Sequence, residues 1–66
     1  MKYQTGDMVK VHGIRDATKG IQPDQRFPAT ILQVAPMNPE GRPYLVRFDG
    51  PKPPSVFGWF SEEEVE

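Results

Sequence analysis

The stretch Pro-Tyr-Leu-Val-Arg-Phe-Asp-Gly at residues 43–50 decides the fold class, because large apolar and polar side chains alternate along it until a glycine ends the run. A repeat of two residues is typical of a β-strand with one buried face. The predicted inward row is Tyr44, Val46 and Phe48, and the predicted outward row is Leu45, Arg47 and Asp49. The stretch therefore indicates a sheet that covers a core on one side.

Three other apolar stretches extend this sheet. We predict strands between Gly6 and Gly13 and over residues 27–35, 43–49 and 56–60. Residue Val34 is out of phase with Ala29 and Ile31, so a β-bulge near Leu32 is expected to turn it back toward the core. The pattern therefore predicts an all-β chain with one strongly bent strand.

The remaining segments predict loops and turns. Residues 13–26 are polar, contain Gly20 and Pro23, and predict a long loop between the first two strands, with a short helical turn at residues 16–19. Ser61 is a good N-cap for a helical turn, and the glutamates after it suit the positive end of that turn. Val65 is expected to begin a very short fifth strand.

Size and composition limit what the chain can be. We treat residues 1–66 as one domain, and a domain this short buries only about 60% of its unfolded surface. The sequence has no cysteine and one histidine, so neither a disulfide nor a metal site of the usual His/Cys kind is expected. Small domains without such supports often gain stability by oligomerising. Self-association is therefore an open alternative.

The charge pattern and hydropathy bear on partners. Residues 1–60 carry eight basic and five acidic side chains, whereas the last six residues carry four glutamates. A mildly positive body permits nucleic-acid binding but falls short of a strong basic footprint. No apolar run approaches the roughly 20 residues of a membrane span, and no signal peptide is visible. We expect a cytoplasmic protein that does not bind membranes.

Four sequence segments resemble the strands of SH3-like barrels of the Tudor-like and KOW-like kind. They are GDMVKV, PATILQV, YLVRFDG and WFSEEEV, in that order along the chain. This resemblance implies a five-stranded SH3-like barrel with a long loop between strands one and two and a short terminal helical turn. The fold hosts many functions, so the resemblance alone assigns none.

A narrower resemblance is to the plasmid-borne type II dihydrofolate reductases, carried by NPEG, by YLV, and by SV ahead of an aromatic residue and an acidic turn. That resemblance implies a homotetramer around one pore and NADPH as cofactor. The family lines its pore with Val-Gln-Ile-Tyr, and the matching segment here is Val56-Phe57-Gly58-Trp59. The pore lysine of that family falls near Val11 or His12, where this chain has no lysine.

The predicted binding surface lies on the fourth strand. If Phe60 packs inward with Val56 and Gly58, then Phe57 and Trp59 point outward as an aromatic patch. Arg47 and Lys52 are expected to form its polar rim. The opposite orientation, with Phe57 and Trp59 in the core, remains an alternative. The predicted binding residues are Val56, Phe57, Gly58, Trp59, Arg47 and Lys52.

No nucleophile, base and acid can be assembled from these residues, so no catalytic residue is assigned. We interpret the chain as a non-catalytic binding or accessory module that contacts a protein partner or a second copy of itself, without cofactor or metal. Two alternatives stay open: an NADPH-dependent reductase and a small RNA- or DNA-binding barrel. A cage for methylated lysine, built from Tyr3, Tyr44, Phe57 and Trp59 with Asp49, is a lesser one.

Overall fold

The computed structural model describes residues 2–66 and contains one antiparallel sheet. Its strands follow one another in chain order: β1 (Met8–Val11), β2 (Phe27–Val34), β3 (Tyr44–Phe48) and β4 (Phe57–Phe60). Two short 3-10 turns, Ala17–Lys19 and Glu62–Glu64, are the helical elements in this part of the chain. The all-β prediction is confirmed as a four-stranded antiparallel sheet.

One face of the sheet forms the core, as the alternation in residues 43–50 predicts. Tyr44 and Val46 of β3 are fully buried and Phe48 is nearly so, while Arg47 between them is exposed. The core also includes Val9, Val11, Ala29, Ile31, Phe60 and Val65. The ring of Phe48 packs edge-to-face on Phe60 at 5.7 Å, a geometry that aromatic pairs favour.

A β-bulge bends β2 at the predicted place. Ile31 pairs with Val46, but the next pair is Gln33 with Leu45, so Leu32 is an extra residue. The shift turns Val34 back toward the core, against which it packs half-buried. The polar and apolar phases of β2 therefore change at the bulge, as its sequence indicated.

The outer edge of β1 is covered by the end of the chain. Lys10 and Glu66 exchange two backbone hydrogen bonds of 2.8 Å, and the His12 N–H donates to the Glu64 carbonyl at 2.9 Å. Val65 forms a single β-bridge with Val11 and is 3% exposed. The predicted fifth strand is thus represented by one bridge, placed by the 3-10 turn in front of it.

The middle of the loop before β2 is held by a capped turn and by a contact to another connection. Asp16 caps the first 3-10 turn, because its carboxylate accepts from the Thr18 N–H at 3.0 Å. Ile21 is buried, and Lys19 Nζ donates to the Pro54 carbonyl at 2.7 Å. This contact joins the loop to the connection between β3 and β4. Within residues 2–66 no helix is long and apolar enough to cross a membrane.

Candidate binding surface on the fourth strand

The orientation of β4 follows from its last aromatic residue. Phe60 is 9% exposed and belongs to the core, whereas Phe57 is 56% exposed and Trp59 is half-buried. The prediction that Phe60 points inward and Phe57 outward is confirmed. The alternative orientation, with Phe57 in the core, is wrong.

Gly58 makes this orientation possible. A Cβ atom at residue 58 would lie 2.6 Å from Cε2 of Phe60, so the Phe60 ring occupies the space that a side chain would need. Packing an aromatic ring over a strand glycine recovers contacts that the glycine cannot make. Gly58 therefore faces the core side and supports the site through Phe60, without itself contacting a partner's side chains.

The outer face of β3 and β4 carries the aromatic patch of Phe57 and Trp59, and Leu45 lies beside it. Trp59 lies opposite Leu45, and Phe57 lies opposite Arg47. Both are close pairs of the kind that exchange no backbone hydrogen bonds, in which side chains approach most nearly. Leu45 was not among the predicted binding residues, although the alternation along residues 43–50 places it in the outward row.

Arg47 is held at the border of this patch by neighbouring polar groups. Its Nε lies 3.3 Å from Oδ1 of Asp49, and Oδ2 of Asp49 accepts from Oγ1 of Thr30 at 2.7 Å. The three side chains form a polar row that crosses β2 and β3 beside Phe57. The predicted role of Arg47 as a polar rim fits this placement, and its charge is already paired.

Two of the predicted binding residues lie outside the strand. The predicted inward position of Val56 is wrong: β4 begins at Phe57, and Val56 is 64% exposed because it ends the proline-rich connection. Lys52 lies exposed within that connection. Arg47, Phe57 and Trp59 therefore share one face, whereas Val56 and Lys52 precede it in the chain.

The backbone of β4 is open along its outer edge. The Phe48 N–H donates to the Val56 carbonyl at 3.0 Å, which fixes the phase of the ladder. Because hydrogen-bonded residues alternate in antiparallel strands, Gly58 and Phe60 also face β3, and Phe57 and Trp59 direct their N–H and C=O groups outward. Within residues 2–66 only the Phe57 carbonyl of these groups has a partner, Oγ of Ser55 at 2.9 Å.

The indole of Trp59 adds a further donor to this edge. Its Nε1 makes no hydrogen bond within the described part of the chain, and no buried side-chain nitrogen or oxygen there lacks a partner. The indole N–H therefore reaches solvent. A tryptophan that is half-buried yet keeps its N–H free has an apolar face and a polar tip available to a second molecule.

An ion pair lies at the opposite edge of the sheet. Arg26 binds the side chain of Glu66, and this hydrogen bond lowers the pKa of the Glu66 carboxyl and raises the pKa of the Arg26 guanidinium. His12 Nε2 lies 3.7 Å from the same carboxylate. In the loop, the Thr18 hydroxyl lowers the pKa of Asp16. These charges secure the chain end and the loop turn, away from the aromatic patch.

The methyl-lysine cage does not form. Tyr44 is fully buried, its ring packs edge-to-face on Tyr3 at 5.5 Å, and its hydroxyl accepts from the Tyr3 N–H at 3.3 Å. An open hollow of about 460 Å³ beside Tyr3 is lined by Gln4, Thr5 and Val34, with no charged group. Across residues 2–66 no three His, Cys, Asp or Glu side chains converge where a metal ion could bind.

Comparison with protein-family models, with curated proteins and with solved structures finds no match for this chain. The functional inference therefore depends on the geometry of β4.

Proposed function

We propose that the chain is a single SH3-like barrel that acts as a non-catalytic binding module, with the aromatic patch and the open edge of β4 as its contact surface. The β-bulge in β2 supports a barrel, since bulges introduce the curvature that a small barrel needs, and the bridge between Val65 and Val11 adds a further segment at the β1 edge. The residue that carries the proposal is Phe57, a strand aromatic that is 56% exposed.

The proposed partner is a polypeptide in extended conformation. An exposed edge offers main-chain hydrogen bonds to an added strand, and side-chain pockets next to that edge supply specificity. Here the outward backbone groups belong to Phe57 and Trp59, whose rings lie beside them. Affinity and selectivity would thus come from the same two residues, and aromatic residues often dominate binding energies at such surfaces.

The nucleic-acid alternative finds less support from the charges. A nucleic-acid interface would use basic side chains such as Arg26 and Arg47 to bind phosphates, but Arg26 is bound to Glu66 and Arg47 to Asp49. Phosphate binding would have to displace these partners, and the glutamates of the chain end lie beside β1. A binding surface for protein is therefore the better proposal.

The reductase alternative stays a separate prediction, and NADPH is a cofactor only within it. That alternative needs a tetramer and hydride transfer to dihydrofolate, whereas a binding module needs neither. The cytoplasmic location likewise stays a prediction from the sequence. An assay of NADPH consumption with dihydrofolate, run on the purified chain, separates the reductase from the binding module.

The proposal is tested by panning a library of random 12-residue peptides displayed on phage against the purified chain. Enriched peptides are expected to lose binding to the Phe57→Ser variant and to reduce quenching of Trp59 fluorescence by acrylamide. The Met37→Ser variant is the matched control, because Met37 is 92% exposed but lies outside the patch. Peptides that bind wild type and Phe57→Ser equally well would contradict the proposal.

A further inference from the structure

We infer that the open edge of β4 pairs with β4 of a second copy of the chain, antiparallel and centred on Gly58. The inference rests on the proposed function in using the same patch, and it names the partner. It starts from the backbone groups that point away from β3, those of Phe57 and Trp59.

The hydrogen-bonding pattern of this edge is complementary to itself. In an antiparallel pair centred on Gly58, Phe57 of each copy lies opposite Trp59 of the other. Residues 57 and 59 are the ones with outward N–H and C=O groups, so each pair is a hydrogen-bonded pair that exchanges two bonds. Both pairs together satisfy all eight outward groups. The Phe57 carbonyl keeps its bond from Ser55, since a carbonyl has two lone pairs.

The side chains fit the same register. Each Phe57 ring is placed beside Trp59 of the second copy, and directly opposite residues on one face have Cβ atoms about 5 Å apart. Aromatic cross-strand pairs are among the favourable ones. Gly58 meets Gly58 of the second copy at the two-fold axis, so no side chain obstructs the close approach there. The two aromatic patches thereby join into one apolar surface.

The edge also lacks most of the features by which proteins keep strands apart. Natural edge strands are protected by short length, lysine, proline, bulges or a covering segment, and of these β4 has its length of four residues. Phe-Gly-Trp-Phe at residues 57–60 contains no charge and no proline, and its register with β3 is continuous. Arg47, the exposed cation opposite Phe57 on β3, is already paired with Asp49. Two copies therefore meet without repulsion between like charges.

The sequence has no cysteine, so a single cysteine can be introduced and cross-linked without competing thiols. Phe57→Cys and Trp59→Cys variants are prepared separately, reduced, mixed and oxidised. Hydrogen-bonded antiparallel pairs have Cα atoms about 5.5 Å apart, within the range that a disulfide spans. We expect the mixture to give a disulfide-linked heterodimer at ten-fold or higher yield than either variant alone, because residue 57 does not face residue 57 in this register.

Sedimentation of the unmodified chain supplies the second measurement. Wild type is expected to change from monomer to dimer with concentration, with a blue shift in Trp59 emission. Phe57→Pro removes the ring and the outward N–H, whereas Phe57→Ala removes the ring alone, so Phe57→Pro should weaken dimerisation further. Both variants retain the hydrogen bonds to β3, and circular dichroism checks their fold.

The inference would be overturned if the wild-type chain stays monomeric at all concentrations up to about 1 mM, an order-of-magnitude limit for specific pairing. It would also be overturned if each single-cysteine variant cross-links as well alone as in the mixture, or if Phe57→Pro dimerises as strongly as wild type. If peptides that depend on Phe57 are nevertheless recovered by panning, the proposed function stands and only the second copy is wrong. If neither peptides nor a dimer are found, both fail.

Discussion

The two edges of the sheet are built in opposite ways. At β1, the chain end supplies three backbone hydrogen bonds, the buried Val65 and an ion pair between Arg26 and Glu66. At β4, the outward backbone groups of Phe57 and Trp59 have no backbone partner within residues 2–66, and exposed aromatic surface lies beside them. One edge is completed within the chain, and the other is left for a second molecule. The difference predicts that changes at β1 affect stability and changes at β4 affect association.

The largest difference in stability between changes at the two edges is expected from the matched pair Val65→Ala and Val56→Ala. Val65 is 3% exposed against β1, so its truncation should lower the free energy of unfolding by about 2 kcal/mol. Val56 is 64% exposed beside β4, and its truncation should change stability by less than about 0.5 kcal/mol. Urea unfolding followed by circular dichroism measures both. Equal losses would show that the two edges do not differ in this way.

A loss of similar size is expected from Gly58→Ala, which tests whether the orientation of β4 depends on the space over its glycine. The new Cβ would lie 2.6 Å from the Phe60 ring, and displacing a packed ring costs about 1–3 kcal/mol. The loss should shrink when Phe60→Leu is present, because a shorter side chain leaves room. A double-mutant cycle measures this coupling. Strict additivity of the two changes would contradict the packing of Phe60 over Gly58.

The next prediction concerns Phe57→Lys, which places on β4 the kind of charge that protects natural edges. Stability should change by less than about 0.5 kcal/mol, since Phe57 lies on the exposed face. Self-association and peptide binding should be lost, because two lysines would face each other's aromatic patch. Sedimentation and the Trp59 emission maximum provide the readout. Unchanged association with a folded variant would remove the role assigned to this edge.

The sequence predicts the core of this molecule better than its edges. Alternation at residues 43–50 and the out-of-phase Val34 were sufficient to locate β3 and the bulge, because burial imposes a strict period of two on each strand. The bounds of β4 were harder to predict, since Val56 continues the apolar pattern but follows the proline-rich connection. Its exposure depends on where that connection ends, which a local pattern does not encode.

Much of the candidate site was predictable for the same reason. Phe57 and Trp59 follow from the inward position of Phe60, and Leu45 could have been added from the outward row of β3. The openness of the β4 edge was not predictable, because it depends on which segment covers which edge. Long-range contacts such as Lys10 with Glu66, or Lys19 with Pro54, leave no signal in the spacing of residues.

The smallest effect should come from Glu66→Gln, which weakens the closed edge without touching its core. Arg26 holds the pKa of Glu66 below the ordinary value of 4.5, so the carboxylate stabilises the fold fully above that value and loses this contribution as pH falls through its lowered pKa. Wild type should therefore be more stable than Glu66→Gln near neutral pH, and the two should converge in acid.

The control for Glu66→Gln is Glu63→Gln, which removes the same charge from the neighbouring 3-10 turn, where Glu63 is exposed and has no ion pair within residues 2–66. Thermal unfolding from neutral to acid pH, at low and at high salt, measures the difference in stability between wild type and each variant. High salt should reduce the difference for Glu66→Gln, because the pair of Glu66 with Arg26 is exposed. The backbone bonds between Glu66 and Lys10 remain in the variant, so the β1 edge should stay closed. If wild type remains more stable than Glu66→Gln in acid, the Glu66 side chain stabilises the β1 edge through packing. The charge of Glu66 would then not be part of the difference between the β1 and β4 edges.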